Sequence, residues 1–184
     1  MAINNAANRA KAGNAGAVEA AVAAMQGHRE NAKLQHKACN TLVHMAINNA
    51  ANKAKAGTAG AVEAVVLAMH TYRENAELQR ASCHTLGRMI TDNADNKAKA
   101  ENAGAIEAIV AATQEHIDHT ELQRLACITL GRMSTDNADN RVKAGNAGAI
   151  KAVVAVMCTH GEDAKLQHAA CGQCVPLPET MRKS

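Results

Sequence analysis

The sequence has almost no aromatic residues: tryptophan and phenylalanine are missing, and Tyr72 is its single tyrosine. Its two prolines, Pro176 and Pro178, stand near the C-terminus, behind a long alanine-rich stretch. Because alanine is the best helix former and proline the strongest helix breaker, this composition predicts an all-α fold. Without aromatic side chains, we expect a thin core in which helices with small side chains approach closely.

The net charge is also small, and long hydrophobic runs are missing. The net charge is +3, so no strong overall field favours nucleic acid or a membrane surface. No apolar run approaches the ~20 residues that a membrane span requires. The N-terminal residues Met1–Asn5 lack the charged and apolar segments of a signal peptide. We therefore expect a cytoplasmic protein, with the nucleus as the alternative compartment.

A repeat of 44 residues runs through the sequence. Four kinds of residue keep this spacing: Gly16, Gly60, Gly104 and Gly148; Leu34, Leu78, Leu122 and Leu166; Gln35, Gln79, Gln123 and Gln167; Asn8, Asn52, Asn96 and Asn140. This period is typical of helical repeat arrays, whose units span about 40–47 residues. We expect one array over residues 1–175, with units of about 1–44, 45–88, 89–132 and 133–175, followed by a C-terminal tail, 176–184.

Each unit has the apolar pattern of three helices. In the third unit, Ile106, Ile109 and Val110 have the i, i+3, i+4 spacing of one helix. A second apolar row, within Leu122–Met133, predicts another helix. A short polar segment ending at Gly104 precedes both, and its asparagine and aspartate residues suit a helix start. The unit is therefore predicted as a short helix, a bend at glycine, a longer helix, a polar turn and a third helix.

Three segments of the unit resemble the armadillo family. They are Asn96–Lys97 in the first helix, Ala103–Ile106 at the start of the second, and Leu122–Leu130 in the third. The resemblance covers nearly all of residues 4–175. It implies a right-handed α-α superhelix, an armadillo-like solenoid of four 44-residue three-helix repeats whose third helices line a concave groove. It also implies protein binding, although this fold serves many functions.

The groove positions differ from the pattern of the family. The resemblance puts the family's groove tryptophan at Asn40, His84, Ile128 and Gly172, and its groove asparagine at His44, Arg88, Arg132 and Pro176. In the import adaptors of this family, these two residue types hold the bound nuclear-localisation peptide. No unit keeps tryptophan at the first of these positions or asparagine at the second, which argues against binding of such signals.

The third helices instead carry a row of basic residues, because His36, Arg80, Arg124 and His168 stand one turn before the tryptophan position. We call the combined set the basic ladder: His36, Asn40, His44, Arg80, His84, Arg88, Arg124, Ile128, Arg132 and His168. Arginine suits bidentate binding of carboxylate or phosphate. The ladder predicts a scaffold that binds an extended acidic or phosphorylated segment, with the four arginines as anchors. Histidines of unperturbed pKa, ~6.5, would strengthen binding at lower pH; the alternative is that these positions are merely solvated.

Two other functions fit parts of the pattern. Neither end carries an obvious polar capping repeat, which predicts a structural subunit that contacts a larger assembly or another copy through its ends. A row of first-helix cations could follow a phosphate backbone: Arg9, Lys11, Lys53, Lys55, Lys97, Lys99, Arg141 and Lys143. No aromatic residue accompanies that row for base stacking, so nucleic-acid binding is disfavoured.

The cysteines suggest packing rather than chemistry. Cys39, Cys83, Cys127 and Cys171 keep the 44-residue spacing, and stacked helices ~8–10 Å apart are too distant for disulfides. We interpret them as small core residues in a reducing compartment. His168, Cys171 and Cys174 have a spacing that could bind zinc, but Cys174 replaces a core leucine of the other units. Core substitution is the favoured interpretation, and metal binding is the alternative.

No arrangement of residues predicts catalysis or a bound cofactor. The Gly-x-x-Gly pairs, such as Gly57 and Gly60, lack the preceding strand and following lysine of a phosphate-binding loop. Glu77 and Glu121 fall beside turns, where we expect solvated charge. The sequence therefore predicts a binding protein and not an enzyme.

Overall fold

The computed structural model describes residues 5–172, which form twelve α-helices and no strands. The helices are α1 Ala6–Asn14, α2 Ala17–Gly27, α3 Ala32–Ala46, α4 Ala50–Thr58, α5 Ala61–Thr71, α6 Ala76–Ile90, α7 Ala94–Asn102, α8 Ala105–Glu115, α9 Thr120–Ser134, α10 Ala138–Asn146, α11 Ala149–Thr159 and α12 Ala164–Gly172. The predicted all-α fold is confirmed. Cys174, Pro176 and the tail 176–184 lie outside the described residues.

The helices recur in sets of three, and we call α1–α3, α4–α6, α7–α9 and α10–α12 the first to fourth units. In the first three units the helices are 9, 11 and 15 residues long. Second helices pack against second helices of neighbouring units, and third helices pack against third helices. Each unit therefore contacts mainly the units before and after it in the chain.

The bend between the first and second helix of each unit depends on glycine. Gly16, Gly60, Gly104 and Gly148 have φ between 78° and 86°, in the left-handed region. A side chain at such a φ would be strained, and glycine avoids this cost because it has no Cβ. The periodic glycine is thus explained by the tight turn that starts every second helix.

The core is built from small and medium aliphatic side chains of the second and third helices. Val62, Met69 and Leu86 in the second unit are almost fully buried, as are Ile109 and Leu130 in the third. These residues belong to one continuous cluster that runs from the first unit to the fourth. The thin, aromatic-poor core expected from composition is therefore shared between units rather than closed within each one.

Two periodic polar residues fasten this arrangement from inside. Gln79 is buried, and its Nε2 donates to the carbonyl oxygens of Met69 at 2.7 Å and Tyr72 at 2.9 Å. Asn96 is also buried, and its Nδ2 donates to Lys53 O in the preceding unit at 2.9 Å and to Met89 O at 3.1 Å. The glutamine thus ties two helices of one unit together, and the asparagine ties neighbouring units.

The role of Asn96 differs from the helix-start role expected from sequence. The residue that begins α7 is Asn93, whose side chain accepts from the Asn96 backbone amide at 2.9 Å. Asn5, Asn49 and Asn137 cap α1, α4 and α10 in the same way. Asn96, which belongs to the set with 44-residue spacing, is therefore not the cap. It lies one turn inside the helix and bonds across the junction between two units.

Aromatic or imidazole side chains add a further bond across three junctions. Tyr72 Oη donates to Arg29 O at 2.8 Å, His116 Nε2 to Arg73 O at 2.6 Å, and His160 Nε2 to Ile117 O at 2.6 Å. Each bond joins the end of a second helix to the turn of the preceding unit.

Over residues 5–172, no single helix is long and apolar enough to cross a membrane, and α10 with α11 reaches that length only as a pair bent by 67°.

Candidate functional site

The basic ladder lies along the partly exposed side of the third helices. Its nine members on α3, α6 and α9 are all half-buried, whereas His168 on α12 is exposed. Bonds within helices join successive members: Asn40 Nδ2 donates to His36 Nε2, and Arg88 Nε to His84 Nε2, both at 3.3 Å. The backbone of Gly172, the remaining candidate groove position, ends α12.

The N-terminal part of the ladder has its charge balanced by glutamates. Arg80 Nε donates to Glu77 at 2.9 Å, and Arg124 Nη2 donates to Glu121 at 2.6 Å. These bonds lower the pKa of both glutamates, and the bond to Glu121 raises the pKa of Arg124. Both pairs have the i, i+3 spacing that brings helical side chains together, so the sequence contained this signal, although we had assigned both acids to solvated turn positions.

The C-terminal part of the ladder keeps its positive charge. Among residues 5–172, the salt bridges engage Glu77, Glu101 and Glu121, and none of them includes Arg88 or Arg132. Arg132 Nη1 donates to the Gly87 carbonyl on the neighbouring third helix at 3.0 Å. Burial lowers the pKa of Arg132, and so does the nearby positive charge of Arg88, while Asp92 acts in the opposite direction.

Gly87 allows Arg132 to lie close to α6. A Cβ at position 87 would come within 2.6 Å of Thr129 Oγ1 and 3.2 Å of Arg132 Nη1. A mid-helix glycine costs stability relative to alanine, by roughly 0.5–1 kcal/mol. Glycine is present here despite that cost because any Cβ would obstruct the close approach of Thr129 and Arg132. The sequence alone did not single out this residue.

His84 lies between the arginines and remains uncharged at neutral pH. Burial lowers its pKa to about 4, and the positive charges of Arg88, Arg80 and Arg124 act in the same direction. Its Nε2 therefore serves as the acceptor for Arg88. The stronger binding at lower pH expected for histidines of unperturbed pKa therefore does not extend to His84, because it is partly buried beside cations.

An open groove of about 760 Å³ separates α9 from α12. Ile128 provides an apolar side chain there, and the polar lining includes Arg124, Arg132, Lys165 and His168. Arg132 also lines a second groove, of about 690 Å³, beside the turns that follow α6 and α9. This side of the protein thus combines a cation, an apolar side chain and open space.

The first-helix cations are engaged in a different way. Lys53 Nζ donates to Thr91 O at 2.6 Å and Lys97 Nζ to Thr135 O at 2.9 Å, at the turns that follow the third helix of the same unit. Other lysines reach the preceding unit: Lys55 Nζ donates to Gly13 O at 2.7 Å, Lys99 Nζ donates to Gly57 O, and Lys143 Nζ contacts Glu101 Oε1 at 2.5 Å. These amino groups are thus bonded within the array, the first two at the ends of their own units and the last three across junctions.

The cysteines divide into a buried group and an exposed group. Burial raises the pKa of the Cys39 thiol to about 11 and that of Cys83 to about 12, and Cys127 is also buried. Cys171 is exposed, as is Cys158, so its assignment to the core is wrong. The reason is that its counterparts are covered by a following third helix. No group of three metal-ligating side chains occurs within residues 5–172, and Cys174 lies beyond that range.

Comparison with known proteins gives a structural likeness. No protein-family model and no curated protein matches the chain. A solved crystal structure of an engineered protein is similar, with a TM-score of 0.76 and 25% sequence identity over 90% of this chain. The match spans about 65% of the length of that engineered chain. The all-helical arrangement therefore has a counterpart in a solved structure.

Proposed function

We propose that this chain is an armadillo-like scaffold of four repeats that binds an extended acidic or phosphorylated segment of a partner protein along the basic ladder. Arg88 and Arg132 carry this proposal. Their guanidinium groups are half-buried on adjacent third helices, and their hydrogen bonds go to a neutral imidazole and a carbonyl. Burial and, to a smaller extent, the charge of Arg88 lower the pKa of Arg132, and an anion placed between the two arginines would offset their mutual repulsion.

Both arginines retain donors for such an anion. A guanidinium has five N–H donors, of which Arg88 uses Nε and Arg132 uses Nη1 in the bonds described. The remaining donors suit bidentate binding of carboxylate or phosphate. Arg80 and Arg124 already contact glutamates, so we assign them a smaller role than the four-anchor prediction gave them.

The spacing of the helices sets a requirement on the bound segment. Packed helices are about 8–10 Å apart, and a chain in the polyproline II conformation advances about 3.1 Å per residue with three residues per turn. For a segment bound in this conformation, anionic residues that reach successive third helices should therefore be three residues apart. Ile128, in the groove between α9 and α12, offers an apolar contact next to the anchors. The preferred segment is acidic at every third residue with an apolar residue between.

The other functional candidates receive less support. Lys53, Lys55 and Lys97, three of the lysines proposed to follow a phosphate backbone, donate instead to backbone carbonyl oxygens of the array, which disfavours the nucleic-acid alternative. The buried thiols of Cys39 and Cys83 suit a reducing compartment, so we place the protein in the cytoplasm or nucleus. We propose no catalytic activity and no cofactor.

The test is peptide binding by matched arginine variants. A fluorescent peptide with phosphoserine or glutamate at every third residue is titrated into the wild-type chain, Arg88→Met, Arg132→Met and the double variant. Each charge-assisted hydrogen bond contributes about 1.5–3 kcal/mol, so we expect each single change to weaken binding by about ten-fold or more. The double variant should also have a smaller salt dependence.

Arg80→Met and Arg124→Met are the controls, because each removes the same charge from a position that already has a glutamate partner. We expect less than half the effect in free energy. Equal losses for all four arginines would mean that only overall charge matters. Unchanged binding in the Arg88/Arg132 double variant would refute the groove.

A further inference from the structure

The last described unit exposes side chains whose counterparts are buried at internal junctions. Val154 on α11 is 53% exposed, whereas its counterparts Val66 and Val110 are each 2% exposed. Ile150 is half-buried where Ile106 is 1% exposed. The difference arises because α5 and α8 are each covered by the following unit. We call the exposed side that contains Gly145, Ile150, Val154 and Cys171 the C-terminal face.

Gly145 occupies the position that, at Gly13 and Gly57, is covered by an asparagine of the next unit. At its counterparts Gly13 and Gly57, an added Cβ would overlap the Oδ1 of Asn52 and of Asn96 in the next unit. At Gly145 an added Cβ would meet no atom of residues 5–172 within 4 Å, apart from its own helix and neighbours. The position is therefore shaped to receive an asparagine that the described chain does not supply.

The third junction shows what a side chain costs at this position. Glu101 stands there in place of glycine, and Asn140 Nδ2 donates to Met133 O at 2.9 Å but not to Lys97 O, the counterpart of the Lys53 O that accepts from Asn96. The Oδ1 of Asn140 is buried and has no hydrogen-bond partner among residues 5–172. Glycine at position 145 therefore keeps the better junction geometry available.

The first unit exposes the complementary side. Leu34 is half-buried, although Leu78 and Leu122 at the same position are fully buried. Thr41 is exposed, whereas the buried Thr85 and Thr129 donate to the carbonyls of Cys39 and Cys83 in the preceding unit at 3.1 and 3.0 Å. Lys11 is likewise exposed. We call the side with Lys11, Leu34 and Thr41 the N-terminal face.

We propose that this chain self-associates head to tail, with the N-terminal face of one copy covering the C-terminal face of another. The internal junctions supply the template. Lys55 bonds to Gly13 O, so Lys11 of the second copy would reach Gly145 O. Thr85 bonds to Cys39 O, so Thr41 of the second copy would reach Cys171 O. A contact of this kind uses two different faces, so a dimer still exposes one free face of each kind to further copies.

One residue opposes this contact. Lys37 is exposed on the N-terminal face, at the position where Ala81, Leu125 and Ala169 are buried. A second copy would cover its side chain, and removing an ammonium group from water is unfavourable. We therefore infer a weak, concentration-dependent contact that Lys37→Ala strengthens.

The test is sedimentation velocity on the full chain, from micromolar to millimolar concentration. We expect the average mass to increase past that of a dimer, and Lys37→Ala to shift this increase to at least ten-fold lower concentration. Val154→Asp should remain monomeric throughout. Val142→Asp is the matched control, because Val142 is 62% exposed and its counterparts Ala54 and Ala98 are exposed at internal junctions, so it should behave as wild type.

Gly145→Ala separates association from folding. Since no atom blocks the new Cβ, alanine should raise the melting temperature of the dilute monomer while weakening association several-fold. A monomer at every concentration for both the wild type and Lys37→Ala would overturn the proposal. Growth that stops at a dimer, or an equal loss in Val142→Asp, would overturn it as well.

Discussion

The cations of the first helices and the arginines of the third helices follow the same repeat but have different surroundings in this protein. On the first helices, four lysines donate to backbone carbonyls, namely Lys53, Lys55, Lys97 and Lys99, and Lys53 is buried where it donates to Thr91 O. The third-helix arginines are half-buried along one side, where Arg88 contacts only a neutral imidazole in the bonds described. A periodic row of positive charge therefore does not by itself indicate a binding surface.

The difference follows from what lies beside each row. Thr91 and Thr135 cap the C-terminal ends of α6 and α9, where carbonyl groups lack helical partners and carry partial negative charge. Lys53 and Lys97 lie within reach of these carbonyls and satisfy them. On the third helices, Arg80 and Arg124 each pair with a glutamate three residues earlier, whereas Arg88 and Arg132 form no salt bridge within residues 5–172.

The largest expected effect is on the first helices. Asn96→Ala removes the donors to Lys53 O and Met89 O in a buried site. We therefore expect the free energy of unfolding, measured in urea, to decrease by about 3 kcal/mol. Asn40→Ala is the matched change on a third helix, where the amide contacts His36 in a half-buried site. We expect it to cost less than about 0.5 kcal/mol. Similar losses for the two variants would contradict the division between the rows.

A smaller effect separates the two kinds of cation. Lys53→Met keeps most of the side-chain volume but leaves Thr91 O without its donor, and we expect a loss of about 1–2 kcal/mol in unfolding free energy. Arg88→Met should change it by less than about 0.5 kcal/mol while weakening the acidic peptide. Peptide binding that is lost in Lys53→Met without loss of stability would count against this assignment.

The pH dependence of stability tests the surroundings of His84. Its pKa in the folded protein is about 4, below the ordinary value of ~6.5 expected in the unfolded chain. Between these values the unfolded chain binds a proton that the folded protein does not, so stability should fall as the pH decreases from ~6.5 towards ~4. Because the ring is half-exposed, we expect a contribution of about 1 kcal/mol or less.

Thermal unfolding of wild type and His84→Gln over this range measures the effect. The variant should show a smaller decrease in melting temperature on acidification, since glutamine does not titrate. An identical pH profile would mean that His84 is protonated near its ordinary pKa.

The smallest effect concerns the glycine beneath Arg132. Gly87→Ala gains helix propensity, but the new Cβ meets Thr129 Oγ1, so we expect a net loss of about 0.5 kcal/mol. Gly27→Ala, with no atom of the described residues within 4 Å of the added Cβ, should instead gain about 0.5 kcal/mol. Calorimetry of both variants measures the difference, and a gain at both positions would show that Thr129 and Arg132 adjust freely.

The helices could be predicted from sequence because their signals are local. The apolar row that contains Ile106 and Ile109 and the glycine at 104 determine where α8 begins and which side it buries. The role of Asn96 could not be predicted, because a polar residue near a helix start is ordinarily a cap. Its bond to Lys53 O depends on how closely two units approach, and sequence spacing does not contain that distance.

The position of the candidate site could be predicted from sequence, and the pairing of its charges only in part. The i, i+4 spacing places the ladder along one side of the third helices. The salt bridge of Arg80 was readable from the glutamate three residues earlier. The position of Arg132 against Gly87 O was not, since it spans 45 residues of sequence.

The hydroxyl bond of Tyr72 gives this protein a built-in optical reporter. Because the chain has no tryptophan and no second tyrosine, its near-ultraviolet fluorescence originates from this one ring, whose Oη joins the second unit to Arg29 in the first. Circular dichroism, by contrast, averages over every helix. If tyrosine emission and helical signal change together on heating, the units melt as one cooperative block; if emission changes at a lower temperature, the array opens first between its first two units.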